Sequence, residues 1–94
     1  MKISRIIWLD EIIEKLHVKH NVSREEVREV LTNSRHFRFV EKGHRSDEDV
    51  YSVLGKTDSG RYLIVFFIYK TNEAALIVSA RDMTDAERKR HEKK

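Results

Sequence analysis

Gly55-Lys56-Thr57-Asp58-Ser59-Gly60-Arg61-Tyr62-Leu63-Ile64-Val65-Phe66-Phe67-Ile68-Tyr69 is the stretch on which the fold turns. Two glycines bracket a polar, turn-forming run, and the eight residues from Tyr62 to Tyr69 are then apolar or aromatic without a break. A run of that length, rich in β-branched and aromatic side chains, reads as a strand covered on both faces, or one facing an aromatic groove. The short turn before it and Thr71-Asn72-Glu73 after it make its neighbours antiparallel. Upstream, residues 36–42 alternate, with Phe37 and Phe39 on one face and His36, Arg38 and Lys42 on the other. Residues 49–54 form the second strand of a hairpin with them. Downstream, residues 74–80 form the last strand, with Ile77, Ser79 and Arg81 expected in one phase and Leu76, Val78 and Ala80 in the other.

The N-terminal third reads as helical. Residues 3–9 are a short strand or an extended lead-in. Asp10 is placed to cap a helix over residues 11–19, with Ile12, Ile13 and Leu16 on one face. Asn21 tolerates the left-handed conformation that ends helices, so this helix stops near His20. Ser23-Arg24-Glu25-Glu26 is a capping box, in which serine oxygen and glutamate side chain each accept from the other residue's backbone N–H. It opens a second helix that runs to about Thr32 with Val27, Val30 and Leu31 inward, and Val22 can staple onto Val27. Thr84-Asp85-Ala86-Glu87 is a second capping box, opening a mostly basic C-terminal helix with almost no apolar face. The order β-α-α-β-β-β-β-α predicts an α+β fold. In it two N-terminal helices and a C-terminal helix lie on a mostly antiparallel four- to five-stranded sheet. The helices are expected on one face, and His36, Arg38 and Arg81 on an open groove opposite.

Ninety-four residues suit one domain spanning 1–94. Charged residues make up 37% and hydrophobic residues 39%, yet the apolar residues cluster in runs that a disordered chain lacks. There is no cysteine, which excludes disulfides, thiolate zinc sites and thiol nucleophiles. No apolar stretch approaches the ~20 residues of a membrane span, and Asp10 and Glu11 break the apolar start that resembles a signal peptide. A cytoplasmic protein is expected. The net charge of +3 is unevenly spread. Residues 1–46 carry ten Lys/Arg against seven Asp/Glu, residues 47–87 four against eight, and residues 88–94 five against one. Basic charge gathered in the 35–45 stretch and the 88–94 tail is the footprint of a polyanion binder, or else a solvated strand and a frayed tail.

Taken in order, several segments resemble the BrnT family of type II toxins. Trp8 lies twelve residues before His20, and Lys19-His20-Asn21-Val22-Ser23 is similar to the family's Lys-His-Gly-Val-Ser. Glu25-Glu26-Val27-Arg28-Glu29-Val30 resembles the acidic helix that follows. Asp49-Val50-Tyr51, Gly55-Lys56-Thr57 and Gly60-Arg61-Tyr62-Leu63 resemble the hairpin signature. Ser79-Ala80-Arg81-Asp82-Met83-Thr84 with Glu87-Arg88 resembles the C-terminal one. The resemblance covers nearly the whole chain and implies a RelE-like fold and a ribonuclease toxin that inhibits translation and growth. It also implies a BrnA-like antitoxin with a ribbon-helix-helix domain, and promoter DNA bound only through that antitoxin. Three positions depart from the family: Ile12 stands for a lysine, Leu16 for an asparagine, and His91 lies near the place of a tyrosine.

Metal-free RNA cleavage needs a base for the ribose 2′-hydroxyl, cations for the phosphate and an acid for the leaving 5′-oxygen. Neither cofactor nor metal is expected, because His17 and His20 share a helix face with no third ligand singled out. Arg61 and Arg81, at the ends of apolar strands, are the candidates for the phosphate, and an arginine fork suits two oxygens at once. The structural alternative is an ion pair to Asp82 or Asp49. His20 is the candidate base or acid, with a helix-end role against the dipole as its alternative. Lys19, His36, Arg38 and Arg88 are expected to hold RNA. Trp8 and Phe66 are read as core, and Glu87 as a cap rather than a catalytic group. Because Ile12 and Leu16 remove polar groups, the alternative function is a non-catalytic module that binds RNA or an antitoxin. A regulatory interaction protein with no nucleic-acid role is the third reading.

Overall fold

The computed structural model describes residues 1–45 and 48–93 of the chain. Along the chain run β1 (Arg5–Ile7), α1 (Asp10–His20), α2 (Arg24–Asn33), β2 (His36–Glu41), β3 (Val50–Lys56), β4 (Tyr62–Lys70), β5 (Ala74–Asp82) and α3 (Asp85–Lys93). The strands form one sheet in the order β1-β5-β4-β3-β2. β1 runs parallel to β5, and every other pair is antiparallel. The apolar run from Tyr62 is thus the central strand, flanked on both sides. Lys94, the last residue of the basic tail, lies outside the described residues.

Local chemistry explains where the helices start and stop. Asn21 takes φ 52° and ψ 42° after α1, and its N–H bonds the His17 carbonyl. Ser23 and Glu26 make both halves of the capping box. Asp10 does not cap α1: it is the first helical residue, Leu9 occupies the cap, and no side chain bonds there. Its carboxylate still lies in the first turn, where the helix dipole favours negative charge.

One face of the sheet carries the core. α1 lies over β5, and α2 over β3 and β4. Leu16, Val22, Val27, Val30 and Leu31 pack against Val53, Leu63, Val65, Phe67, Ala75, Ile77 and Ala80. Phe67 is fully buried; emptying such a site costs about 3–5 kcal/mol. Gly55 lets α2 approach closely, since a Cβ there would lie 2.8 Å from Val30 Cγ1 and 3.1 Å from Ser34 Cβ.

Two expectations about facing change. In β5, Phe66 pairs with Ser79 but Phe67 pairs with Ile77, so Val78 is an extra, bulged residue. The bulge puts Ile77 in the core with Ala80, and leaves Ser79 and Arg81 facing the other way. A uniform alternation cannot anticipate this, because one inserted residue reverses the phase. The three helices also do not share a face. α3 crosses the side opposite α1 and α2, where its residues meet His36, Tyr62 and Arg81. Lacking an apolar stripe, it is held there by ring contacts, cation–π contacts and an ion pair.

Candidate functional site

The sheet register assembles the face beneath α3. His36, Leu54, Ile64 and Arg81 form one row across four strands, because each pairs with the next. Arg38, Ser52, Phe66 and Ser79 form the adjacent row. Lys56 pairs with Tyr62 at the hairpin end. From above, α3 adds Glu87, Arg88 and His91. The Arg88 guanidinium lies 4.0 Å from the Tyr62 ring centroid, and Lys56 Nζ is 5.6 Å from the same centroid. The His91 ring is 5.5 Å from His36 and 5.9 Å from Tyr62, edge-on to both. Arg81 sits 5.7 Å over Phe66. This face therefore brings together His36, Arg38, Lys56, Arg81, Arg88 and His91 with two aromatic rings.

Arg81 is held by Glu87. Its two terminal nitrogens donate to the two carboxylate oxygens at 2.8 and 2.9 Å, and one also donates to the Asp82 carbonyl. The same carboxylate accepts the Thr84 N–H at 2.9 Å, while the Thr84 hydroxyl accepts the Glu87 N–H. Glu87 therefore caps α3 and clamps β5 to it. The bond from Arg81, supported by the Thr84 N–H, draws the Glu87 pKa down to about 2, and the Arg81 pKa rises in return.

Arg61 lies on the other side of the sheet. Its Nε donates to Asp82 at 2.8 Å, and its terminal nitrogens reach Asp82, Glu26 and the carbonyls of His20 and Asn21. All five N–H groups of a guanidinium are accounted for by these contacts. Arg61 thus ties the end of α1, the start of α2 and the end of β5 to the start of β4. The bond to Asp82 leads the upward shift of the Arg61 pKa, and the same bond leads the downward shift of the Asp82 pKa. The His20 side chain stands near enough to contribute to that lowering.

The three residues proposed from sequence to carry catalysis are not brought into one place. His20 and Arg61 are together on the helix-covered side, with His20 presenting its carbonyl to the arginine. Arg81 is across the sheet, with His36, Arg38 and Arg88. Lys19 is exposed in the last turn of α1, away from that face. Ile12 packs against the core and Leu16 is buried in it, so both serve packing. Trp8 also packs against the core, but Phe66 does not belong to it and lies on the basic face. Lys56 and Tyr62 were not singled out from sequence; the tight turn between them, which pairs β3 with β4, is the signal that places them opposite one another.

Cavities open among the described residues. One of about 490 Å³ is lined by Asn33, Arg35, His36, Lys56, Thr57 and His91. A larger one of about 850 Å³ is lined by residues that include Ile6, Trp8, Arg24, Leu31 and Phe37, and shares Ser34 and Arg35 with the first. Among the described residues no cluster of three or more His, Asp or Glu is arranged to hold a metal ion. Nor is any helix among them long and apolar enough to cross a membrane.

The fold as a whole is similar to that of a solved toxin structure. The chain matches the crystal structure of the ribonuclease toxin BrnT from Brucella abortus with a TM-score of 0.62. The match has 17% identity and covers 86% of this chain and 97% of that one. At that identity the likeness concerns the fold. The family model for the ribonuclease toxin BrnT of type II toxin–antitoxin systems matches residues 8–87. The chain belongs to the BrnT family. Membership implies an RNA substrate and an antitoxin partner. No curated protein matches the chain.

Proposed function

We propose that this chain is a metal-independent endoribonuclease that cleaves RNA, including ribosome-engaged messages, and thereby slows translation and growth in the cytoplasm. The observation that carries this reading is the face under α3, where basic groups from three strands and a helix surround the Tyr62 and Phe66 rings. Cations hold the phosphates, and rings of this kind stack unpaired bases. Arg81 is the cation placed to stabilise charge on the phosphate, with His36, Arg38 and Arg88 holding the strand. Lys19 lies outside this face and takes no part in it. Arg61 and His20 act by positioning, through the clamp at the helix ends. The partner is a BrnA-like antitoxin with a ribbon-helix-helix domain, and promoter DNA is bound only through it.

A second reading is favoured by one observation: Glu87 already occupies both terminal nitrogens of Arg81. A side chain so engaged suits a non-catalytic RNA- or antitoxin-binding module that retains the fold. The experiment is induced expression of the wild type beside Arg81→Ala, following growth and total RNA integrity. Arrest with RNA loss in the wild type alone supports the nuclease. No arrest with either, the protein being folded and expressed, leaves the binding module. RNA affinity should fall with salt at a logarithmic slope of about 0.7 per phosphate contacted.

A further inference from the structure

We propose that His36 and His91 are the proton-transfer pair of the ribonuclease, acting on a phosphodiester seated in the cleft they share with Lys56. This inference rests on the nuclease reading and names the groups that would carry it out.

The argument begins with placement. His36 is the first residue of β2, and its backbone N–H is fixed by the Ser34 hydroxyl at 3.2 Å. Ser34 is itself buried and its hydroxyl bonds the Leu54 carbonyl, so the strand start is pinned. His91 comes from the last turn of α3, on the far side of the cleft. The two rings are half-buried, 5.5 Å apart and nearly perpendicular. Side chains from β2 and from the C-terminal helix thus meet over one cavity of about 490 Å³. Arg35 and Lys56 line the same cavity, and among the described residues no carboxylate does. An anion is the ligand such a lining attracts.

The charged and titratable groups around the pair come from every neighbouring element. Arg35 precedes β2, Lys56 lies on β3, Tyr62 on β4 and Arg81 on β5, and α3 supplies Glu87, Arg88 and Glu92. Glu87 is committed to Arg81, and Glu92 lies 3.5 Å from Arg88. Lys56 and Arg35 remain to meet a phosphate.

The chemistry balances with two imidazoles and no other reactant. The neutral ring takes the proton of the ribose 2′-hydroxyl as that oxygen bonds to phosphorus. The bond from phosphorus to the 5′-oxygen breaks, and the protonated ring gives its proton to that leaving oxygen. The products are a 2′,3′-cyclic phosphate and a 5′-hydroxyl, and the two rings have exchanged protonation states. Imidazole is the side chain that ordinarily changes charge near neutral pH, which suits both steps.

The test uses the full-length protein and a short single-stranded RNA. Wild type should give 2′,3′-cyclic ends and a bell-shaped dependence of kcat/KM on pH. His36→Ala and His91→Ala should each lose about 100-fold or more and one limb of the bell. Lys15→Ala, on the exposed face of α1, should keep the wild-type rate and profile. Single histidine variants within threefold of wild type, with its profile, overturn the pair while the nuclease reading stands. A wild type that cleaves no RNA overturns the nuclease reading and the pair together. A second measurement does not depend on the variants folding. Inorganic phosphate titrated into wild type should shift the NMR signals of both imidazoles along one saturation curve. Shifts in neither overturn the proposal.

Discussion

Replacing Arg61 by alanine should cost stability before it costs anything else. The Arg61 side chain is 25% exposed, and its guanidinium meets two carboxylates and two main-chain carbonyls. A hydrogen bond to a charged group contributes roughly 1.5–3 kcal/mol. An exposed ion pair such as that to Asp82, itself 65% exposed, adds no more than about 1 kcal/mol. The His20 and Asn21 carbonyls lie at the solvent-edged end of α1, so water would recover part of the loss. Two well-formed charged hydrogen bonds, discounted by about half, and one weak ion pair give a loss of about 3 kcal/mol. For a domain of this size each kcal/mol moves Tm by about 4–8 °C, so the fall should be about 12–24 °C. Urea denaturation of wild type, Arg61→Ala and Arg61→Lys checks it. Lysine keeps the charge but not the fork, so it should recover less than half. An Arg61→Ala variant within about 0.5 kcal/mol of wild type would refute the clamp. Lost RNA cleavage at unchanged stability would return Arg61 to the chemistry.

Four further outcomes follow from the same contacts. Glu87 has a folded pKa of about 2 against an ordinary 4.5, so its stabilisation is complete above pH 4.5 and is lost as pH falls toward 2; Glu87→Gln should flatten that acid limb by about 2 kcal/mol in pH-dependent urea titrations. Ser23→Ala should cost about 1 kcal/mol by removing one half of the capping box. Glu26→Ala should cost more than Ser23→Ala in the same assay, because Glu26 serves both the cap and Arg61. Gly55→Ala should cost about 1–3 kcal/mol by pushing α2 off β3, seen as a lower urea midpoint with unchanged slope.

The local chemistry of the chain was legible, and the long-range pairing was less so. Ser23, Glu26, Thr84, Glu87 and Asn21 act as their spacing indicated, because caps are decided within four residues. The central place of β4 followed from its unbroken apolar run. Which side α3 takes was not legible, since a helix without an apolar stripe carries no mark of the face it covers. The phase of β5 was hidden by Val78, whose bulge depends on how β4 lies beside it. Arg61 and Arg81 looked alike as cations at strand ends. Only the register separates them, turning Arg61 toward the helix ends and Arg81 toward α3. Asp82, the partner considered for either, went to Arg61, and Asp49 instead accepts the Gly43 N–H.

The two arginines share a design whose difference decides their roles. Each is gripped by the glutamate at the third position of a capping box, Glu26 for Arg61 and Glu87 for Arg81. In both places one carboxylate accepts the N-cap N–H of a helix and neutralises a strand-end cation, which couples helix position to sheet position. Around Arg61 the coupling is complete: two carbonyls and a second carboxylate take the remaining donors, and a phosphate would have to displace backbone contacts. Around Arg81 a single carboxylate takes the two terminal nitrogens, one carbonyl adds a third bond, and the guanidinium lies over Phe66. A phosphate arriving there competes with one carboxylate rather than with the end of a helix. Movement of α3 by one contact would therefore release Arg81 and leave the core intact, because α3 contributes no buried residue. Glu87→Gln should accordingly raise RNA affinity at Arg81 while lowering stability at neutral pH. A variant that loses stability with no gain in affinity would show that the Arg81 cation is reserved for holding α3.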